Sequence, residues 1–275
     1  MKHLVLGSSG QIGSHLVRIL RLNGEDVIEF DIVNSSDEDL RISNNQLLEV
    51  AISKSDFVHF LAFDVGGAKY MAKYQHTYDF INNNSLIMSN TFAALKKHNK
   101  PFIFASSQMS NMLHSAYGIL KSIGESYTNA LGGVVIKFWN VYGHETDPEK
   151  THVITDFIKK AKLNKRIEMM TDGQEERQFL YGDDAAECLL ILSRRYNEID
   201  RNQFLHITNF QWSKIIEIAE IISSELGSCD IMPASTKDNV QKGYRNEPDK
   251  YILNFWKPKH DLREGIKKTI SLLNL

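Results

Sequence analysis

Short, almost wholly apolar runs recur along the chain, separated by longer amphipathic stretches. Leu4-Val5-Leu6 is followed by a helical pattern from Gln11 to Leu22 and then by Val27-Ile28-Glu29-Phe30. Phe57-Val58-His59-Phe60-Leu61, Pro101-Phe102-Ile103-Phe104 and Val134-Val135-Ile136-Lys137-Phe138 continue the series. Helices are predicted between them over about 75–98 and 115–131. Runs that stay apolar, instead of alternating, suit strands covered on both faces. Strands alternating with helices predict a parallel sheet in an α/β fold. Beyond about residue 140 the pattern loosens. Helices are predicted over about 152–163, 183–195 and 213–226, with strands near 167–170 and 204–207. Pro148, Pro233, Pro248 and Pro258 punctuate this half. We expect residues 1–145 to form mainly the sheet domain, and 146–275 mainly a smaller C-terminal lobe interwoven with the end of the main sheet.

Composition narrows the class. A chain of 275 residues accommodates one large α/β domain with a small lobe. A formal net charge of -2 gives no electrostatic reason to expect nucleic acid or an anionic membrane as partner. Cys188 and Cys229 are too few and too far apart for a disulfide framework or a zinc site. Met1-Lys2-His3 runs directly into the first apolar run, and no run approaches the ~18 residues of a membrane span. The expectation is a cytoplasmic protein with no bound metal.

Gly7-Ser8-Ser9-Gly10-Gln11-Ile12-Gly13 joins the first strand to the first helix. Glycines there permit a sharp turn and close approach of backbone to a pyrophosphate, while the helix start offers unpaired N–H groups. Asp31, followed by Ile32, ends the second strand, where a carboxylate can accept both ribose hydroxyls. It would repel the 2′-phosphate of NADP, so NAD is the expected cofactor. These features predict a Rossmann-type doubly wound sheet. Further along, Tyr117 and Lys121 stand at i and i+4 on one helix face. An unperturbed phenol is a poor base at neutral pH, but an adjacent ammonium favours the phenolate. Ser106 or Ser107, just past the Phe102–Phe104 strand, would hold a substrate oxygen; Ser107, Tyr117 and Lys121 are the expected catalytic set. His114, His144 and His152 lie near these regions without metal spacing.

In this order the motifs resemble the extended short-chain dehydrogenase/reductases, the NAD-dependent epimerase/dehydratase family of nucleotide sugars. The resemblance spans nearly the whole chain. Asp39-Leu40-Arg41 resembles the family's adenine-contacting element, Leu61-Ala62 its "LAA", and Asn84 its cofactor-contacting asparagine. Asn140-Val141-Tyr142-Gly143 resembles "N-x-Y-G". Arg177-Gln178-Phe179-Leu180-Tyr181-Gly182-Asp183-Asp184-Ala185 resembles "R-D-F-x-Y-V-x-D-x-A", and Arg245 the arginine preceding "L-G-W-x-P". The resemblance therefore implies that Asn140, Arg177 and Arg245 bind a nucleoside diphosphate, and that helices about 75–98 and 115–131 pair subunits into a homodimer. It also implies that the lysine orients the cofactor ribose.

Within the family the pattern is most similar to the GDP-mannose 3,5-epimerases, through Leu61-Ala62-Phe63-Asp64-Val65-Gly66-Gly67 and Ala105-Ser106-Ser107. Their acid/base cysteine falls on Met109, which carries no proton. Their second acid/base, a lysine, falls on Lys150. Dehydratases and decarboxylases place acids where Gln108 and Met109 stand. Ser107 is only 10 residues from Tyr117, shorter than in most extended members. The expected function is hydride transfer at carbon 4 of a nucleoside-diphosphate sugar by Ser, Tyr and Lys. A 3,5-epimerase-like isomerising enzyme and a non-catalytic dinucleotide sensor are the alternatives.

Overall fold

The computed structural model describes the chain except residues 146, 239–240, 242–244 and 274–275. Its elements begin with β1 (Lys2–Leu6), α1 (Gln11–Leu22), β2 (Asp26–Phe30), α2 (Gln46–Lys54), β3 (Phe57–Phe60), α3 (Ala68–Tyr74) and α4 (Tyr78–His98). They continue with β4 (Phe102–Ser107), α5 (Ala116–Ala130), β5 (Val134–Phe138), β6 (Asn140–Tyr142), α6 (Val153–Asn164) and β7 (Arg166–Glu168). The remainder is β8 (Glu176–Arg177), β9 (Phe179–Tyr181), α7 (Gly182–Arg194), β10 (Leu205–Ile207), β11 (Ser213–Lys214), α8 (Ile215–Glu225), β12 (Asp230–Met232) and α9 (Leu262–Leu272).

Six strands form one parallel sheet in the order β10-β5-β4-β3-β1-β2. The pleat divides each strand between two cores. Leu4 and Leu6 face the core that holds Phe60, Phe92, Phe104 and Leu120, while Val5 faces the core of Leu16, Leu20, Ile136 and Leu189. Phe102 and Phe104 join the first, Ile103 and Ala105 the second. Apolar residues are therefore needed at consecutive strand positions, which is the unbroken pattern seen in the sequence. A third core, around Phe157, Ile158, Phe179, Ile218, Ile222 and Ile266, holds the later elements together. Strand β10 then returns to the main sheet beside β5. Because β2 and β3 flank β1 on opposite sides, the chain reverses its winding there. In open parallel sheets a crevice at the carboxyl ends of the strands is the usual ligand site.

Three helices and most of the short strands go beyond the expected elements. Asn45 starts α2, its side chain accepting from the amides of Leu47 and Leu48 at 2.9 and 3.2 Å. Asp261 and Glu264 form a capping box at the start of α9. The expected helix over 75–98 is α4, capped by the Thr77 hydroxyl, and the unexpected α3 lies just before it. Among the described residues no helix is long and apolar enough to cross a membrane, and no group of three or more metal-ligating side chains is found.

Candidate active site

A cleft of about 1190 Å³ runs along the carboxyl edge of the sheet. Its floor at one end is the β1–α1 turn. Gly7 has φ +86°, and a Cβ there would lie 2.8 Å from Ala62 Cα. A Cβ on Gly13 would fall 2.0 Å from the Gly7 carbonyl oxygen, so helix and strand approach closely only with glycine. The N-cap of α1 is Gly10, without a side-chain cap, and the first turn holds no acid. The opening N–H groups are left facing the cleft, the arrangement that favours an anion.

Asp31 follows β2, its carboxylate accepting from the amides of Ser9 and Val33, each at 3.0 Å. Asp39 is gripped by Arg41 through Nη2 at 2.7 Å and Nε at 2.9 Å, which holds its carboxyl below the usual range. Gly7, Gly10, Gln11, Ile12, Gly13, Asp31, Ile32, Asp39, Leu40, Leu61 and Ala62 all line the cleft. Asn84 lies behind the wall. It is fully buried, accepting from the Asp64 amide at 2.7 Å and donating to the carbonyls of Asp64 and Phe80. Its neighbour Asn83 lines the cleft instead.

The cleft continues to the end of β4. Ser107 caps the turn after the strand, accepting from the Met109 amide at 3.2 Å, and its hydroxyl lies beside the Tyr117 phenol. Ser106 turns to Glu125, which is paired with Lys137 at 3.1 Å. Ser107 is thus the serine on the tyrosine's side. Gly118 lets α5 press on the preceding turn, since a Cβ there would lie 2.3 Å from the Met109 oxygen. This close packing accommodates the short link between Ser107 and Tyr117.

Burial pushes the Tyr117 phenol up to about 12, a rise the nearby Ser107 hydroxyl partly opposes. Burial likewise brings the Lys121 ammonium down to about 7, against the opposing charge of Glu125. Lys121 Nζ donates to the Ala105 carbonyl at 2.6 Å and lies 3.7 Å from the centre of the Phe63 ring. Phe63 also meets the Tyr117 ring edge-on, with centroids 5.7 Å apart. Tyr117 and Lys121 are therefore set in a largely apolar wall.

Of the residues expected at the sugar end, Asn140 and Arg177 line the cleft. Asn140 Nδ2 donates to the Gln178 carbonyl at 3.1 Å, and Arg177 is paired with Asp238 at 2.6 Å. Arg245 is set apart from the cleft-lining residues. It is exposed, stacked 3.9 Å from the Trp212 ring centre, and paired with Glu176 at 2.6 Å and Glu247 at 3.3 Å. Gln108 and Met109 line the wall beside Ser107, and Asn246 Nδ2 donates to the Gln108 carbonyl and side-chain oxygens at 2.5 and 2.7 Å.

The cleft also brings together a titratable group assembled from distant stretches. Lys150 Nζ lies 2.9 Å from Asp64, which also accepts from the Tyr70 hydroxyl at 2.7 Å. His152 Nδ1 is 2.5 Å from Glu145, and its amide donates to the same carboxylate at 3.0 Å. These contacts hold the Asp64 and Glu145 carboxyls below their ordinary values despite burial. The sequence signal was the pair Gly66-Gly67. Cβ atoms there would strike Lys150 Cα at 2.9 Å and the Thr151 oxygen at 2.2 Å, so glycines let the two loops dock. His144 lines the same cleft, whereas His114 is outside its lining.

The model of the NAD dependent epimerase/dehydratase family matches residues 3–208. The chain belongs to that family. Over 301 residues it is 28% identical to a Methanocaldococcus jannaschii protein provisionally named as a UDP-glucose 4-epimerase, covering 98% of this chain and 97% of that one. It is 27% identical over 316 residues to GDP-mannose 3,5-epimerase 1 of Oryza sativa subsp. indica, covering 96% and 79% of the two chains. A UDP-glucose 4-epimerase from Thermotoga maritima, solved with UDP-glucose, superposes with a TM-score of 0.83 at 21% identity over 98% of both chains. That likeness is one of fold. NAD is the cofactor of the family. The glycine cradle, the open start of α1 and the strand-end Asp31 fit a dinucleotide with free ribose hydroxyls.

Proposed function

We propose that this member of the epimerase/dehydratase family carries out NAD-dependent hydride transfer at carbon 4 of a nucleoside-diphosphate sugar. The observation that carries the proposal is the run of Ser107, Tyr117 and Lys121 along one wall of the cleft, continuous with the glycine cradle. Bound NAD supplies a hydride acceptor. Tyr117 takes the proton of the reacting hydroxyl and Ser107 holds that oxygen; Lys121 orients the cofactor ribose and, together with the positive nicotinamide of bound NAD, brings down a phenol that burial by itself holds up. Gln108 and Met109 offer no proton for elimination beside them, which supports oxidation and reduction over dehydration. Asn140 and Arg177 are proposed to bind the diphosphate end. Arg245 would join them only by leaving Glu176 and Trp212.

NADH absorbance after nucleotide sugars are added, with product analysis, tests the proposal. Neither reduced cofactor nor an epimer from any nucleotide sugar would favour a non-catalytic dinucleotide sensor. A second reading, an isomerising enzyme of the 3,5-epimerase type, draws support from Lys150 and His152 in the cleft. Under it, Lys150→Met or His152→Gln abolishes solvent deuterium uptake into the sugar. Under the carbon-4 reading no uptake occurs in the unmodified protein.

We further propose a cytoplasmic homodimer, with residues 1–145 forming the NAD-binding part and 146–275 the substrate lobe. The dimer would rest on α4 and α5, where Ile81 of α4 is 41% exposed and Ile119, Ile123 and Tyr127 of α5 are 41%, 43% and 45% exposed. Light scattering at micromolar concentration should give twice the chain mass.

A further inference from the structure

His15 lies on α1, two residues past Gly13, and is 4% exposed. Its Nδ1 is 2.5 Å from Asp183 Oδ1, and its Nε2 is 3.3 Å from the backbone nitrogen of His144. The partners decide the ring's state. A carboxylate only accepts, so Nδ1 carries the proton; a backbone N–H only donates, so Nε2 is bare. The imidazole that satisfies both is neutral, with its tautomer fixed.

The surroundings are shaped to the ring. A Cβ on Gly143 would fall 2.4 Å from Nε2, and one on Gly182 would fall 2.6 Å from Cδ2. Tyr181 meets the ring edge-on at 5.7 Å. The Gly143 carbonyl accepts from Thr155 Oγ1 at 3.1 Å, so the peptide bonded to His15 is held from its other side too. From there the chain runs on to Glu145, Lys150 and His152, and is fastened at its far end by the Gly67 amide donating to the Lys150 carbonyl at 2.9 Å.

We propose that His15 is a positioning residue that sets the sugar-facing wall of the cleft from the cofactor helix. It reaches no reacting atom. Through the His144 amide it fixes where His144, Glu145 and the Lys150–His152 stretch stand relative to α1, whose first turn is read as receiving the pyrophosphate. The inference rests on the reading of that wall as sugar-facing.

The test separates binding at the two ends. In His15→Phe the ring volume stays while both hydrogen bonds are lost. NAD affinity by calorimetry should hold within about two-fold, while KM for the nucleotide sugar rises about ten-fold or more, the scale of effect that small misplacements produce. His15→Gln keeps an acceptor for the His144 amide and should restore most of the loss. Should His15→Phe fail to fold, Gly143→Ala presses on the ring without removing it and should raise KM alike. Long-range proton–nitrogen NMR of the unmodified protein should show the Nδ1-protonated neutral ring. Equal loss of NAD and sugar binding, no rescue by glutamine, or the other tautomer overturns the proposal. A wild-type protein that binds no nucleotide sugar overturns the reading of the site instead. Unchanged KM in both variants, with wild-type turnover intact, overturns the role of His15 alone.

Discussion

The two ends of the cleft are built from different materials. At the cofactor end the shape is made by backbone: Gly7 and Gly13 exclude any Cβ, and the helix N-terminus presents its own amides. At the end proposed for the sugar the shape is made by side chains paired with one another, Asp64 with Lys150, Glu145 with His152 and Arg177 with Asp238. A backbone site admits little variation because every substitution meets the chain itself. A site of paired side chains can be re-paired, and one cradle can then serve many sugars. This contrast agrees with the family, whose members named here share a cofactor fold and differ in reaction.

The sharpest way to break the contrast is at Gly13. Gly13→Val puts a branched side chain where even a Cβ is 2.0 Å from the Gly7 oxygen, so NAD binding by calorimetry should be lost. A bound cofactor in that variant would show that the cradle yields as easily as the sugar end. Next come the residues at the junction of the two ends. Tyr117→Phe keeps the ring and removes one hydroxyl, and hydride transfer should fall at least ~10²-fold with substrate affinity nearly kept. Lys121→Met should cost more, because it takes both the ribose contact and the charge from the phenol. Ser107→Ala should cost less than either, and Met109→Leu should be close to silent in single-turnover rates. Normal turnover in Tyr117→Phe would move the proton chemistry to the opposite wall.

A smaller effect is expected at Asp31. Asp31→Ala removes the acceptor proposed for the ribose hydroxyls, along with that of the Ser9 and Val33 amides, and should weaken NAD about ten-fold with NADP little changed. An unmodified protein that prefers NADP would contradict the assignment.

The mildest test uses acid. Under the cofactor end, His3 and His59 are buried side by side, Nδ1 to Nε2 at 3.0 Å, and desolvation lowers both below the ordinary 6.5. The folded chain resists their protonation while the unfolded chain does not. Their contribution is therefore complete above about 6.5 and is lost as pH falls toward the lowered values. The melting temperature should decline from pH 7 to pH 5, and His59→Phe should flatten that slope. An unchanged melting temperature over this range would show that the pair does not titrate.

The same contrast decides what could be read from the chain. The strands of the main sheet were legible because two-sided burial leaves continuous apolar runs. Glycine spacing and the i, i+4 tyrosine and lysine are local, so they survive in one dimension. Helix α3, with seven residues, is too short to show a period, and strands of two or three residues carry no pattern at all. Asp64 and Lys150 stand 86 positions apart, and no spacing links them. Asn84 shows the limit of ordering motifs along a chain. One residue turns a helix by about 100°, and that turn puts Asn83 in the cleft and Asn84 behind it. Arg245 was placed by its order ahead of Phe255-Trp256-Lys257-Pro258, the stretch that resembles "L-G-W-x-P", whereas Glu176 and Trp212 hold it at the surface.

Strand β10 reaches its place beside β5 only after β6–β9 and α7 have intervened in sequence. A chain emerging from the ribosome can therefore pair β1 through β5, cradle included, while the far side of β5 is still a bare edge. Such an edge is an open template for a strand from another chain. Non-local parallel pairing is also the slow kind, so that exposure lasts until the final strand docks. Newly made copies should be most prone to cross-pairing in that interval, and the cradle, being local, is the part that NAD could clamp before synthesis ends.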